Sequence, residues 1–429
     1  MVAIPHLLHV TNSIAQDASI AGVLDLGIKD LAVFLKSSQS NQKSLLICSG
    51  GTTSRCAATG HWSLDLRNSH RQLDFDLFNQ QVTLGAGQTM ETLLKALASK
   101  QRSFPTGLSG LPGAGYILTG GISPLSRSQG LAIDHVLGFE GVWGNGECFA
   151  LSRPEAGCSE QDQWRWRGLC GAAPFLAVIT KLKLQTTKLH SLGIWQDSIS
   201  PKQLSEAIKT AESWPESASL QWIWGDTIKA YAVICKQDDS SSSPALDQLI
   251  KSLPSTSTSS FGTVAGLHQL PAFSLPKDNK KALGRFHSEV LGLLGPAWGK
   301  ASDDIISGLE KLMAERPDPR CCIAAQQLGG VTSQVKPTSS SFIHRDAMWK
   351  PWITAAWPAG DKQIREQSLK WLVQVWDHLE PHCQGVHMAQ LHPHLPWHQK
   401  EISAAFGDWL PGLRELKTLH DPNDVLPPL

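Results

Sequence analysis

Ser49-Gly50-Gly51-Thr52-Thr53-Ser54 and, further along, Phe104-Pro-Thr-Gly-Leu-Ser-Gly-Leu-Pro-Gly-Ala-Gly115 with Thr119-Gly-Gly-Ile-Ser-Pro-Leu-Ser-Arg-Ser-Gln-Gly-Leu-Ala-Ile-Asp134 decide the fold of this chain. The hexapeptide follows Ser44-Leu-Leu-Ile-Cys48, an apolar run that reads as a buried strand, so the chain leaves a sheet and enters a glycine turn. Consecutive backbone N–H groups in such a turn converge on an anion, Thr52, Thr53 and Ser54 add hydroxyl donors, and Arg55 stands next to them. A plain surface turn accounts for the hexapeptide as well. It is not a Walker loop, since no GKS or GKT follows, and no GxGxxG opens a helix here. Between Thr106 and Gly146 stand eleven glycines. Each would cost a helix about 1 kcal/mol relative to alanine, so short strands and tight turns that bring backbone close to a ligand are expected there. An array of β-turns explains those glycines, but not the grouping of Ser123, Ser126 and Arg127 among them.

Outward from these stretches, helical spacing covers residues 28–35 and 90–97, and strand patterns cover 62–66, 82–84 and 175–184. Beyond about residue 187 helices and strands alternate. Helices are expected over 203–211, 245–253, 305–315 and 363–378, strands over 220–224, 230–235 and 322–327, and a Pro/Ser/Thr loop over 254–260. The tryptophans of the later part, including Trp222, Trp224, Trp349, Trp371 and Trp376, read as core.

Composition narrows the function. The 38 Lys+Arg balance 38 Asp+Glu, so no basic excess exists to neutralise a nucleic-acid backbone. No apolar run reaches the roughly 18 residues of a membrane span, and residues 1–10 lack a secretory pattern. Nine cysteines without a CxxC pair read as reduced thiols. A cytoplasmic protein with neither nucleic-acid nor membrane partner is expected, its oligomeric state open.

The order of glycine loop, Gly85-Ala86-Gly87, the glycine run with Leu125-Ser-Arg127 and Gly130-Leu-Ala-Ile-Asp134, and then Trp143-Gly-Asn-Gly-Glu147 resembles the PCMH-type FAD-binding domain of the vanillyl-alcohol-oxidase superfamily. Within it, the chain is similar to the berberine-bridge-enzyme branch. Arg167-Gly168 to Ile179-Thr180 (with Ala177 where glycine is usual), Leu328-Gly-Gly-Val331, Ser341-Phe-Ile-His-Arg-Asp346 and the ending Trp409 to Asp421-Pro422 and Val425 resemble further segments of that branch. The resemblance implies an α+β fold: a two-subdomain FAD-binding domain over residues 1–187, an inserted cap of antiparallel sheet plus helices over 188–395, and a C-terminal return over 396–429. It assigns the FAD pyrophosphate to Ser49, Gly50, Gly51, Thr52, Thr53 and Ser54. The ribityl chain and ring fall to Pro105, Thr106, Gly107, Ser109, Thr119, Gly120, Gly121, Ser123, Ser126 and Arg127, with Val178 and Ile179 touching the cofactor through their backbone.

The chain departs from the branch at both tether positions. Thr52 or Thr53 stands where relatives carry a flavin-linking histidine, and Ser109 where some carry a cysteine, so a dissociable, non-covalent FAD of lower reduction potential is expected. The customary tyrosine before the final helix is also missing. That stretch holds His387, His392, His394 and His398 instead, of which His392 is the candidate general base. His392-Pro-His394 lacks the partners of a metal site, and no metal is expected. His344 and Arg345 are candidates for the flavin-facing strand, where Arg345 would bind a substrate carboxylate or stabilise reduced flavin. The alternative is that Arg345 pairs with Asp346 or another cap carboxylate and His344 is a packed strand residue. The implied activity is an FAD-dependent oxidoreductase moving hydride from a C–OH or C–N carbon of a small alcohol, sugar or amine, with oxygen or another electron acceptor. The competing reading is a catalytically impaired flavin-binding protein with a sensor or assembly role.

Overall fold

A computed structural model describes residues 6–38, 43–236, 249, 253, 259–270 and 284–429. Apart from Leu249 and Leu253, the helix expected over residues 245–253 lies outside the described residues, as does the loop expected over 254–260 apart from Ser259 and Ser260. The first sheet is parallel: β1 (Gly22–Leu24), β2 (Leu46–Cys48) and β3 (Trp62–Asp65), in the order β1-β3-β2. The helix Ile28–Ser37 connects β1 to β2. It buries Leu31 and Leu35, one turn apart, with Asp30 in its first turn and Lys36 in its last, as the helix dipole favours.

The second sheet is antiparallel. It contains β4 (Leu73–Asp76) and β5 (Gln81–Gly85), then, beyond the short β6 (Arg102–Ser103), β7 (Val136–Trp143), β8 (Cys148–Ser152) and β9 (Ala177–Gln185), ordered β4-β5-β9-β7-β8. The two-residue strand β10 (Thr187–Lys188) pairs with β6. Within the glycine-rich stretch, two one-turn helices, Gly115–Leu118 and Ser126–Gln129, replace part of the expected strand-and-turn array. Gly120, Gly121 and Gly130, at φ +107°, +75° and +85°, keep them that short. Helix Glu160–Leu176 was hidden from periodicity by Gly168, Gly171 and Pro174. It starts at the Ser159 cap and breaks at Gly171 (φ 122°), so β9 begins at Ala177 rather than at residue 175.

Among the described residues, the cap is built on one antiparallel sheet of eight strands: β11 (Leu192–Ile199), β12 (Ala218–Trp224), β13 (Ile228–Cys235), β14 (Ser260–Val264), β15 (Phe286–Leu294), β16 (Cys322–Gln327), β17 (Trp349–Pro358) and β18 (Gly385–Val386). Their order is β14-β11-β13-β12-β16-β17-β15-β18. Helices Pro201–Ala211, Ser302–Ala314 and Lys362–Leu379 cover one face, and on that side the Trp349 indole donates to Glu212 (2.8 Å) and the Trp371 indole to the Leu312 carbonyl (2.7 Å). Trp222, Trp349 and Trp371 are fully buried, as core tryptophans should be. The opposite face meets the first part of the chain. There Leu192, Ile194, Tyr231 and Val233 pack with Leu94 and Leu125, and Ser219 donates to the Pro124 carbonyl (2.6 Å). After helix Leu410–His420 the chain ends back on the first sheets, with His420 stacked on Trp143 (3.9 Å) and the Leu45 amide bonded to the Val425 carbonyl (2.7 Å). The fold is thus α+β, with an antiparallel cap inserted before the C-terminal return.

Candidate functional site

The first wall of the site is the glycine loop leaving β2. Gly51 sits at φ +69°, and its carbonyl accepts from the Thr11 and Asn12 amides at 2.8 and 3.2 Å. Among the described residues, the amides of Gly50, Gly51, Thr52 and Thr53 and the hydroxyls of Thr52 and Thr53 make no hydrogen bond. Ser49 Oγ donates to the Ala86 carbonyl (2.6 Å) and the Ala86 amide to the Thr180 carbonyl (2.9 Å), which holds the loop over the end of β9 near Val178 and Ile179. A Cβ on Gly50 would lie 2.3 Å from the Gly113 nitrogen, so only glycine lets the first two glycine stretches close on each other. Unengaged amides and hydroxyls on a tight turn are the donor chemistry of a diphosphate site, so these residues fit the group that the resemblance assigns to them. Ser54 differs: its hydroxyl leaves the loop to donate to Glu289 on β15 (3.0 Å).

In the second and third stretches Pro105 and Thr106 are buried, and Gly107 and Ser109 half-buried. Tyr116 is packed inside the glycine run, its hydroxyl donating to the Ile122 carbonyl; a Cβ on Gly107 would lie 3.0 Å from that hydroxyl. Thr119 donates back to the Gly115 carbonyl (2.9 Å), while Ser126 and Ser123 accept from the amides of Ser123 (2.9 Å) and Leu125 (3.1 Å). Gly120 and Gly121 lie between them, Gly120 against Phe342 and His387. Arg127 has a different place from the one expected beside the ribityl chain. Its guanidinium donates to the carbonyls of Ala218 (2.8 Å), Leu328 (2.6 Å) and Trp214 (2.8 Å), all in the cap. Arg127 is a tie between the two parts of the molecule, because a buried guanidinium takes the acceptors that surround it.

The opposite wall was not legible in the sequence. Tyr231 pairs with Gln221, Gln221 with Gln326, and Gln326 with Lys350, across β13, β12, β16 and β17. Cross-strand partners share a face, and this is the face of Ser219, which reaches Pro124, and opposite to that of Trp349, which reaches Glu212. A row of four buried polar side chains therefore looks toward the glycine run. Gln221 Nε2 donates to Ser219 (2.7 Å), but its Oε1 has no partner among the described residues. Lys350 is 6% exposed, and its Nζ makes no hydrogen bond or ion pair among the described residues; its one contact of that kind is the Trp352 ring, 4.4 Å away. Burial pushes this ammonium down to about 7. A neighbouring apolar row, Ile223, Ala324 and Trp352, lies on the same face. Alternation in β12, which puts Gln221 opposite in facing to Trp222, was the available clue.

His387 joins the two walls. Its Nε2 lies 3.1 Å from the Thr119 carbonyl and its amide donates to the Gly292 carbonyl (2.8 Å). Burial first, and then the charge of Lys350, hold it well below the usual histidine range, so it is neutral. A Cβ on Gly292 would meet Gln390 Oε1 at 1.8 Å and Lys350 Cε at 3.1 Å, which places His387, Gln390 and Lys350 around one glycine. Gln390 Oε1 and His387 Nδ1 are both buried, and the two side chains interact with each other.

The three expected catalytic residues are not on this wall. His392 bridges two buried carboxylates, Nδ1 at 2.6 Å from Glu401 and Nε2 at 3.6 Å from Glu289, and so meets the glycine loop only through Ser54. His344 is packed against the C-terminal helices, its Nε2 2.7 Å from the Ala404 carbonyl. Arg345 forms a bidentate pair with Asp134 at 2.9 Å on both arms, and also donates to Ser340 and to the Phe342 carbonyl. Its partner is a carboxylate of the first part, not Asp346, and this spends the guanidinium on holding the two parts together rather than on a substrate.

Residues 27–152 match the family described as FAD binding domain. The chain is 34% identical over 160 residues to the FAD-linked oxidoreductase janO of Penicillium janthinellum, which covers 35% of this chain and 33% of that protein. It is 23% identical over 370 residues to the FAD-linked oxidoreductase nodO of Hypoxylon pulicicidum, covering 81% and 78% respectively. The match thus spans about a third of the length of the first relative and most of the second. Among solved structures, wild-type BBE-like 1 of Physcomitrella patens superposes with a TM-score of 0.82 at 15% identity, over 97% of this chain and 92% of that one.

Proposed function

For a chain that carries an FAD binding domain and has the fold of the berberine-bridge-enzyme-like proteins, we propose the activity of an FAD-linked oxidoreductase acting on a small molecule held between the glycine run and the polar row of the cap. The observation that carries this reading is the glycine loop, whose amides from Gly50 to Thr53 are unengaged among the described residues. In this reading Ser49–Thr53 hold the pyrophosphate, Pro105–Ser109 and Thr119–Ser123 border the ribityl chain and ring, and Val178 and Ile179 meet the cofactor through their backbone. Bound FAD supplies a two-electron acceptor for a C–OH or C–N carbon of the substrate, and oxygen or another acceptor takes the electrons on. The chain's own part is to position the substrate under the polar row and to keep bulk water out between two tied domains. The flavin is held without a covalent bond, since Thr52, Thr53 and Ser109 offer no imidazole or thiol to it. A reducing, cytoplasmic setting belongs to the same proposal, for which nine cysteines outside any disulfide stand.

The test is an absorption spectrum of the purified protein, repeated on the supernatant after acid precipitation. Flavin bands that pass wholly into the supernatant are expected. Bands retained in the pellet would refute the non-covalent attachment, and a colourless protein that takes up no added FAD would refute the cofactor.

A further inference from the structure

Lys350 is the only member of the polar row that carries a charge, and nothing among the described residues neutralises it. Buried lysines are kept when a partner compensates them, because an ammonium loses its hydration on burial. Among the described residues, no element packed around Lys350 supplies that partner. On the neighbouring strand of the row stand Gln326 and, beyond it, Gln221 and Tyr231, all uncharged. From β15 comes Gly292, and from the segment after β18 come neutral His387 and Gln390. The glycine-loop cation Arg55 is bound to the carbonyls of Met388 (3.4 Å) and Ala389 (2.9 Å), and adds positive rather than negative potential. The nearest buried carboxylate on β15, Glu289, is engaged by Ser54 and His394. Beside the unpaired charge lies the half-buried indole of Trp352 with Ile223 and Ala324, an apolar surface on the same face.

We propose that this wall is a substrate-recognition site for a molecule with an apolar, aromatic-sized body and one anionic oxygen group, a carboxylate or an ionised phenol, which pairs with Lys350 while its body lies against Trp352. The proposal rests on the reading of the space between the walls as the substrate site of a flavin-dependent oxidoreductase. Gln326 and Gln221 supply the neutral hydrogen-bonding groups that set the orientation of such a head group, as a few placed polar groups do in an otherwise apolar pocket. The choice of an anion over a neutral ligand follows from charge: only an anion recovers the electrostatic energy that the buried ammonium has lost.

The sign of the pH dependence follows. With its ordinary value of 10.5 lowered to about 7, Lys350 is mostly neutral at pH 8 and must take up a proton when an anion binds. The experiment uses the FAD-loaded full chain, with flavin content read from its absorption spectrum, and benzoate and phenylacetate as probes, with benzyl alcohol as the neutral control. Calorimetric titration in two buffers of different ionisation enthalpy reads the protons taken up per ligand. At pH 8 roughly 0.9 proton per carboxylate is expected, falling toward zero at pH 5.5. Lys350→Met should weaken both carboxylates at least roughly tenfold and abolish the proton uptake, whereas Lys350→Arg should keep the binding and lose the uptake. Melting temperatures of both variants report that they are folded. Equal carboxylate affinity in wild type and Lys350→Met, binding without proton uptake, tighter binding of benzyl alcohol, or no carboxylate binding by a protein that holds its flavin would each overturn the proposal. A chain that holds no flavin fails at the earlier reading, which the absorption spectrum reports separately.

Discussion

Replacing Arg345 by methionine separates a substrate-binding arginine from a structural one. The side chain is 1% exposed, its partner Asp134 is 16% exposed, and the two share a bidentate contact of 2.9 Å on each arm. The substitution leaves the half-buried Asp134 carboxylate with the Leu131 amide (2.9 Å), takes the Arg345 donor from Ser340, and leaves the Phe342 carbonyl to the Ser340 hydroxyl (3.3 Å). Removing one partner of such a pair costs about 3–5 kcal/mol, because the remaining charge stays out of water uncompensated. At about 2.1 cal/mol/K of unfolding entropy per residue, 429 residues carry about 0.9 kcal/mol/K, so a chain melting as one unit should lose about 3–6 °C. Asp134→Asn should lose a comparable amount, and the double variant less than the sum, which a double-mutant cycle reads as coupling. The assay is differential scanning calorimetry, with urea unfolding as a check. A melting temperature for Arg345→Met within about 1 °C of wild type, together with lost substrate affinity, would refute the structural role and return Arg345 to the active site.

Arg127→Met removes three hydrogen bonds to cap carbonyls of Ala218, Leu328 and Trp214, so amide exchange should accelerate in β12 and β16 well before the first sheets respond; uniform exchange in both parts would contradict the tie. Gly50→Ala puts a methyl 2.3 Å from the Gly113 nitrogen, and FAD affinity, read by flavin fluorescence, should fall roughly tenfold or more; an unchanged dissociation constant would show that the two stretches need not close. Burial alone raises Glu401, but the hydrogen bond from His392 and the His398 ring at 3.7 Å outweigh it and hold the carboxyl at about 2 against an ordinary 4.5. A depressed carboxylate contributes stability above its unfolded value and loses it as pH falls through the folded one, here about 3 kcal/mol lost between pH 4.5 and 2. Glu401→Gln should therefore be less stable than wild type at pH 7, with the gap closing as pH falls from 4.5 to 2; a gap that widens in acid would contradict the assignment.

The local chemistry of this protein is written in its sequence. The glycine loop after β2 and the turns at Gly120 and Gly121 are legible because a missing Cβ or a positive φ belongs to one residue and its near neighbours. The strand patterns near residues 46, 82, 220 and 322 stood out for the same reason, since alternation is counted over a handful of positions. Partners are another matter. Arg127 and Arg345 were recognised as charged groups among glycines and histidines, but their acceptors lie 201 and 211 residues away at Leu328 and Asp134, and only packing decides which acceptor a buried guanidinium meets. The row of Tyr231, Gln221, Gln326 and Lys350 exists through the register of four strands. A shift of one residue in any of them would turn its side chain to the helix-covered face, so no spacing in the chain announces the row. Lys350 is the sharpest case: as a letter it is an ordinary lysine, and only the folded sheet makes it a buried charge without a partner, because burial and pairing are properties of what surrounds a residue.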